Sequence, residues 1–291
     1  MIVVKFEQNH SKEEKELILQ NPRFKLLVTD VDGTLINKNG EISPENCESL
    51  NKAITCGLQV SLSTGRSPQS SRSFIEKLSL DGYHIFFDGA MVSHFHTGEI
   101  VYAQAIDREL VEQIALFAQD NNTYLELYSP THCFATYENW WTDANSSFFG
   151  IEPQIGDLTG IWEQENIMKG QLVIKNSDEK ALAENLCRHF AGSLEFSEVK
   201  SPTYPDATFI NILSPGVSKG KALEALASRQ SIPLDEVVAI GDWINDIPLL
   251  STAGMGIAMG NAHNELKKVA DYITLDVEEH GLAAAVKKFL L

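Results

Sequence analysis

The chain has 291 residues, of which 43% are hydrophobic, and its 40 Asp plus Glu against 23 Lys plus Arg leave a formal net charge of −17. That length suits about two domains, and that apolar content fills ordinary cores, which excludes wholesale disorder. The negative balance argues against a nucleic-acid backbone or an anionic membrane surface as partner, since both call for clustered Lys and Arg.

Residues 1–23 read as an extension to the main fold, a short strand and a helix; Met1 to Phe6 is too short for a signal h-region and is followed by the charged stretch from Ser11 to Glu16. The run KLLVT at 25–29 is short, apolar and ends at acidic residues, as a buried parallel strand does. Ser43-Pro44-Glu45 places a cap residue and then Pro at the first helical position, and Gly57 closes that helix. Residues 58–63 form the next strand, Ser67-Pro68 opens another helix, and 84–87 is a third strand. The pattern then changes. Residues 91–106 read as a hairpin with its turn near Thr97-Gly98. A helix over 108–119 has Asp107 as its N-cap. Segments 124–128 and 133–137 read as paired strands around Pro130, and 138–168 as irregular and rich in aromatics. A strand at 171–175, a helix at 178–190 and strands at 194–199 and 208–213 complete this block. From Ser218 the alternation of helix and strand returns: helices at 219–230, 247–251, 262–269 and 281–290, strands at 237–240, 256–259 and 271–275.

This order predicts an α/β protein: a Rossmann-like parallel-sheet core built from 24–90 and 213–291, with an α+β cap domain inserted over 91–212. No apolar run approaches the roughly 20 residues of a membrane helix. Cys47, Cys56, Cys133 and Cys187 lack CxxC spacing and read as free thiols of a reducing compartment, so a cytoplasmic location is expected.

Four loops carry the chemistry. Asp30-Val31-Asp32-Gly33-Thr34 directly follows the first apolar strand. A tight turn would account for Asp32-Gly33, but not for Asp30 at the strand end, where parallel sheets bind ligands. Gly241-Asp242-Trp243-Ile244-Asn245-Asp246 follows another apolar strand, 210 residues later. Two acidic clusters at two strand ends suggest one shared site, and such hard oxygen ligands suit Mg²⁺. Thr64-Gly65-Arg66, again at a strand end, offers a hydroxyl and a backbone open to an anion. Ser218-Lys219-Gly220 opens a helix, where helix dipole and ammonium together clamp a phosphate. An acidic chain that handles anions needs such local positive charge.

In this order and spacing, the motifs DVDGTL, STGR, SKG and GDxxND, with Asp88-Gly89-Ala90 and 257–262, resemble those of the haloacid dehalogenase-like superfamily, and within it the Cof-type phosphatases of subfamily IIB. The resemblance covers 24–291 and implies a cap of the C2B type. It implies Asp30 as nucleophile and Asp32 as the acid, then base, of proton transfer. It implies Mg²⁺ held by Asp30, Asp242 and the backbone carbonyl of Asp32. Val31 (backbone N–H), Thr64, Gly65, Lys219 and Asn245 would hold the phosphate, and Asp246 would orient Lys219 or a water on the metal.

The expected function is a Mg²⁺-dependent phosphatase acting on small phosphorylated metabolites through a phospho-aspartate, with sugar phosphates first and flavin mononucleotide or pyridoxal phosphate as further options that the resemblance implies. A phosphomutase of the phosphomannomutase type is the alternative, disfavoured because block 91–212 holds only Arg108 and Arg188 for a second phosphate. A catalytically silent binding protein is a third reading, disfavoured by the complete carboxylate set. A monomer or homodimer is expected. Asp88 stands where the family usually has Asn; it either points away or meets a positive or hydroxyl-rich group. Trp243 either packs on the core or lines the substrate entrance, and Arg66 contacts substrate or pairs with an acid. Trp140 and Trp141 belong to the cap core or wall the pocket, and His94 and His96 read as surface residues.

Overall fold

The computed structural model describes residues 23–201 and 204–291. The strand and helix expected in 1–23 lie, apart from Arg23, outside the described residues. The core is a five-stranded parallel sheet in the order β14-β13-β12-β1-β2: β1 (Leu26–Thr29), β2 (Gln59–Leu62), β12 (Val237–Gly241), β13 (Met255–Ala258) and β14 (Tyr272–Ile273). Every residue of β1 is buried, as expected for a central strand covered on both faces. The register sets Thr29 level with Ile240 on one side and Leu62 on the other. The chain therefore leaves three adjacent strands at the same edge, carrying Asp30, Asp242 and Thr64 to one place.

The helices start where the sequence signals say. Ser43 caps α1 (Pro44–Thr55) and Ser67 caps α2 (Pro68–Lys77), each with Pro in the first turn. Asn46 ties α1 to the end of the chain, donating to the Leu35 carbonyl and accepting from the Ala283 N–H.

The hairpin β4 (Met91–His94) and β5 (Ile100–Ala103) has the pattern expected of the inserted block. It pairs instead with β3 (Tyr83–Phe86), which bridges to Ser63 at the end of β2. Met91 and Val92 pack in the same buried cluster as Leu27, Ile85 and Ile240. A hairpin pattern reports local pairing, not which sheet it joins.

The inserted layer is a six-stranded sheet, ordered β10-β11-β9-β6-β7-β8. Its strands are β6 (Glu126–Tyr128), β7 (Cys133–Ala135), β8 (Gln154–Ile155), β9 (Lys169–Ile174), β10 (Glu195–Ser201) and β11 (Tyr204–Leu213). Helices α3 (Arg108–Asp120) and α5 (Ser177–His189) cover one face, where Val111, Ile114 and Leu186 pack on Leu127, Leu172 and Ile212. Strand alternation sends the neighbours Glu126, Tyr128, Gln171, Phe209 and Asn211 to the opposite face. There a helix replaces the irregular segment expected at 138–168: α4 (Trp140–Phe149). Asn139 caps it by accepting from the N–H groups of Trp141 and Thr142, while the Thr142 hydroxyl accepts from the Asn139 N–H. Trp, Thr, Asn, Ser and Phe are middling helix formers, and Thr replaces the usual Glu or Gln of a capping box; the local signal was therefore weak. In the rest of the chain follow α6 (Lys219–Gln230), α7 (Ile247–Thr252), α8 (Asn264–Val269) and α9 (Gly281–Phe289).

Candidate active site

A cavity of about 430 Å³ lies between the carboxyl ends of the core strands and the open face of the inserted sheet. Asp30, Asp32, Gly65, Asp242 and Asn245 line it from the core; Tyr128, Lys169, Gln171 and Asn211 line it from the cap. Lys169 reaches across and donates to the Gly65 carbonyl at 2.9 Å.

Asp30 follows β1 directly, and its N–H is still tied to the Ile240 carbonyl. Its Oδ1 accepts from Lys219 Nζ at 2.6 Å. The same ammonium donates to Asp246 Oδ1 at 2.6 Å. Asp246 Oδ2 accepts from the N–H groups of Asp242 and Trp243, so its carboxylate is fully engaged. Asp242 has weaker partners, Thr34 Oγ1 and Asn261 Nδ2, both at 3.4 Å. Gly33 makes this approach possible: its φ is +82°, and a Cβ there would strike Asp242 Oδ2. One oxygen from each of Asp30, Asp242 and Asp246 falls within 4.8 Å of the others, a cluster that could hold a metal ion.

The electrostatics of this cluster are unbalanced. Burial, and the charge of Asp246, push the Asp30 carboxyl up to about 8 against the pull of Lys219. Burial, with the charges of Asp30 and Asp246, raises Asp242 well above the carboxylate range. Burial alone would lower Lys219, but Asp246 and Asp30 outweigh it and hold the ammonium charged. Three carboxylates thus share one ammonium. The oxygen donors and the uncompensated negative charge both fit a hard dication.

Asp32 lies apart from this cluster and faces the cavity. Arg66 grips it with two hydrogen bonds, Nε to Oδ2 at 2.8 Å and Nη2 to Oδ1 at 2.6 Å. Burial would raise this carboxyl, but the charge and hydrogen bonds of Arg66 outweigh it and hold it below its usual range. Its side chain is 46% exposed, so solvent screens part of that pull. Arg66 thus takes the acid-pairing alternative, and its acid is the residue expected to transfer protons.

The Thr64 hydroxyl accepts from the Arg66 N–H. The N–H groups of Val31 and Gly65 make no hydrogen bond with a described residue. Asp88, in left-handed backbone with φ 56°, does not point away. Its Oδ2 accepts from Asn211 at 2.7 Å and its Oδ1 from Asn245 at 2.9 Å. Asn245, expected on the phosphate, is engaged with Asp88. Trp243 is 39% exposed, lines the cavity and stacks edge-on with His263. Trp141 does both of its alternatives, buried in the cap cluster and lining the cavity. His94 faces Asp81 at 3.5 Å, and neither it nor His96 joins a metal-binding group among the described residues. The four cysteines are free.

Tyr128, Asn145, Lys169, Gln171 and Asn211 were not singled out from the sequence. Each sits in an otherwise ordinary strand or helix; the alternation of β6, β9 and β11 marks the common face of the four strand residues, and Asn145 reaches the cavity from α4.

A family model described as haloacid dehalogenase-like hydrolase matches residues 27–286. Phosphatase YwpJ of Bacillus subtilis is 30% identical over 286 residues, covering 92% of this chain and 100% of the relative. The 5-amino-6-(5-phospho-D-ribitylamino)uracil phosphatase YwtE of the same bacterium is 29% identical, covering 92% and 98%. A crystal structure of a haloacid dehalogenase-like hydrolase from Bacteroides thetaiotaomicron superposes with a TM-score of 0.78 at 26% identity, over 91% of this chain and 99% of that one. Named phosphatases that match about nine-tenths of this chain over nearly their whole length, and a hydrolase of the same fold, make it a phosphoric monoester hydrolase. It belongs to the haloacid dehalogenase-like hydrolases.

Proposed function

We propose that this enzyme hydrolyses phosphate monoesters of small metabolites through a phospho-aspartate at Asp30, with Mg²⁺ held by Asp30, Asp242 and the Asp32 backbone carbonyl. The observation that carries the reading is Asp30 at a strand terminus, 2.6 Å from a buried ammonium and clustered with two further carboxylates. Mg²⁺ would offset the repulsion between carboxylate and phosphate. A carboxylate oxygen of Asp30 attacks phosphorus, and the bond to the leaving oxygen breaks. Asp32 gives that oxygen a proton, a role worth roughly 10²–10⁴-fold. Asp32 then takes a proton from water, whose oxygen attacks the phosphoryl group, and orthophosphate leaves with Asp30 restored. Lys219, the Thr64 hydroxyl and the N–H groups of Val31 and Gly65 offer donors for the phosphate oxygens. Asn245 joins them on letting go of Asp88, while Asp246 keeps Lys219 in place.

Sugar phosphates are the first substrates to test, and the ribitylaminouracil phosphate of the relative is another. Lys169 is the one basic cap residue among the described residues that line the cavity, which weakens the phosphomutase reading, because a second phosphate needs more. Phosphate release from p-nitrophenyl phosphate with Mg²⁺ tests the proposal; activity that persists in excess chelator would refute the metal role.

Mg²⁺ binding is expected to strengthen as pH rises. The Asp30 carboxyl moves from 3.8 to about 8 on folding, so within that window the folded protein keeps a proton that the unfolded chain has lost. Stability of the metal-free protein then falls as pH rises through the window, and a cation that displaces the proton restores it. The Mg²⁺-induced rise in Tm should be larger at about pH 8 than at about pH 6; the reverse order would count against the cluster as the metal site.

Arg66→Gln should release Asp32 and raise its pKa. The limb of the kcat profile on which Asp32 loses its proton should then move to higher pH. A shift to lower pH, or none, would remove Asp32 from proton transfer.

A further inference from the structure

β3 ends in a strained turn that sets a carboxylate against the phosphate loop. Phe87 and Asp88 are consecutive non-glycine residues in left-handed backbone, with φ 53° and 56°, and Gly89 follows at φ +100°. Such backbone persists only where its surroundings over-determine it, and it gathers at functional sites. Here the surroundings are the loop at 64–66 and the start of α6. The Phe87 N–H donates to the Arg66 carbonyl at 3.1 Å and the Asp88 N–H to the Thr64 carbonyl at 3.0 Å. A Cβ on Gly65 would strike both Asp88 carboxylate oxygens, and one on Gly89 would strike the backbone of Ser218 and Lys219. Asp88 is thus pinned where the loop is open to an anion.

The carboxylate is buried, and both of its hydrogen-bond partners among the described residues are neutral amides. Asn211 fixes Oδ2 from the cap, held in turn by Gln171, and Asn245 donates to Oδ1 from the core. A buried charge bonded only to neutral groups is costly. Asn would tolerate the same backbone and avoid that cost, so the fold alone does not account for the charge. The charge does act on the phosphate donors. After Asp246 and Asp30, it is the third carboxylate that holds Lys219 protonated against burial, and it opposes the burial that lowers Lys169. Asn245 is the donor it occupies outright. Orthophosphate offers Asn245, Lys219 and the loop the same oxygens as the phosphoryl group of a substrate, so a site built of donors alone would grip the product firmly. We propose that Asp88 is a positioning residue that occupies Asn245 in the empty site, so that a phosphate must displace a carboxylate to gain that donor and orthophosphate is held weakly. Asn245 as a phosphate donor belongs to the phosphatase reading above, on which this rests.

The probe is orthophosphate on the full chain with Mg²⁺, measured by calorimetry and as an inhibitor of p-nitrophenyl phosphate hydrolysis. Asp88→Asn removes the charge and leaves a weaker, neutral acceptor. It should tighten orthophosphate about fivefold or more, and lower KM alike, since charge-assisted hydrogen bonds are roughly twice as strong as neutral ones. In an Asn245→Ala background the same change should alter the affinity by less than about twofold, because the contested donor is gone. A residue that merely supports the fold would weaken phosphate binding when replaced. Weaker or unchanged binding in an Asp88→Asn protein of normal Tm would therefore overturn the proposal, and so would equal tightening with and without Asn245. Should Asp88→Asn not fold, Asp88→Gly, which accepts the same backbone with no side chain, decides by the same sign. Tightening without any hydrolysis would support the role of Asp88 and refute the phosphatase reading. Hydrolysis with unchanged binding would refute the role of Asp88 alone, and the absence of both hydrolysis and binding would refute both.

Discussion

Asp30→Asn is expected to lower kcat for phosphate release by more than about 10⁴-fold while the protein stays folded. The amide has the size of the carboxylate but cannot form the phospho-enzyme. The fold should tolerate it because the side chain is only 9% exposed and its charge is costly there. An Asn oxygen can still accept from Lys219 Nζ, so the ammonium keeps both of its contacts. Tm should remain within a few degrees of the wild type or rise slightly. The measurement is steady-state release of phosphate beside a thermal melt. Substantial activity in a well-folded Asp30→Asn protein would remove Asp30 as nucleophile, and with it the phospho-aspartate.

Lys219→Met should damage stability as well as catalysis. The methionine fills similar space but leaves Asp30, Asp246 and Asp242 with no cation among them. Breaking a buried ion pair by deleting one partner typically costs about 3–5 kcal/mol, because the remaining charge is stranded. Here two carboxylates are stranded, each 2.6 Å from the lost ammonium. The loss should show in urea unfolding with chelator present. It should be larger at about pH 8 than at about pH 6, since the carboxyls can escape the penalty at lower pH by keeping their protons. Mg²⁺ should recover part of it. Activity should drop by roughly 10²–10³-fold, the usual loss when one preorganised donor to a developing charge is removed. A Lys219→Met protein as stable as the wild type at the higher pH would mean that the cluster is not the charged, buried group described above.

The elements that carry the site were legible because each has a local cause. The run 25–29 is apolar throughout and then acidic, Ser43-Pro44 and Ser67-Pro68 are cap signals, and the helix expected at 219–230 has its observed limits, Lys219–Gln230. Where local causes are weak, the elements are hidden. Asn139 and Thr142 start a helix in a stretch whose aromatics hide it. The hairpin at 91–103 was visible as a hairpin, yet it joins β3 rather than the inserted sheet.

The same division runs through the site. The amino-acid order alone marked where the parallel strands end, and so the candidates Asp30, Asp32, Thr64 and Asp242, and where a helix opens, and so Lys219. A strand end is set by a change of polarity within a few residues, and motif order specifies the chemistry. What those residues touch follows from packing alone: Asp32 is gripped by Arg66, Asp88 lies between Asn211 and Asn245, and Glu126 accepts from Tyr128 and Trp141. Asp88 and Asn211 are separated by 123 residues of chain. No local pattern encodes such a pair, because it exists only once two sheets with separate registers are packed face to face.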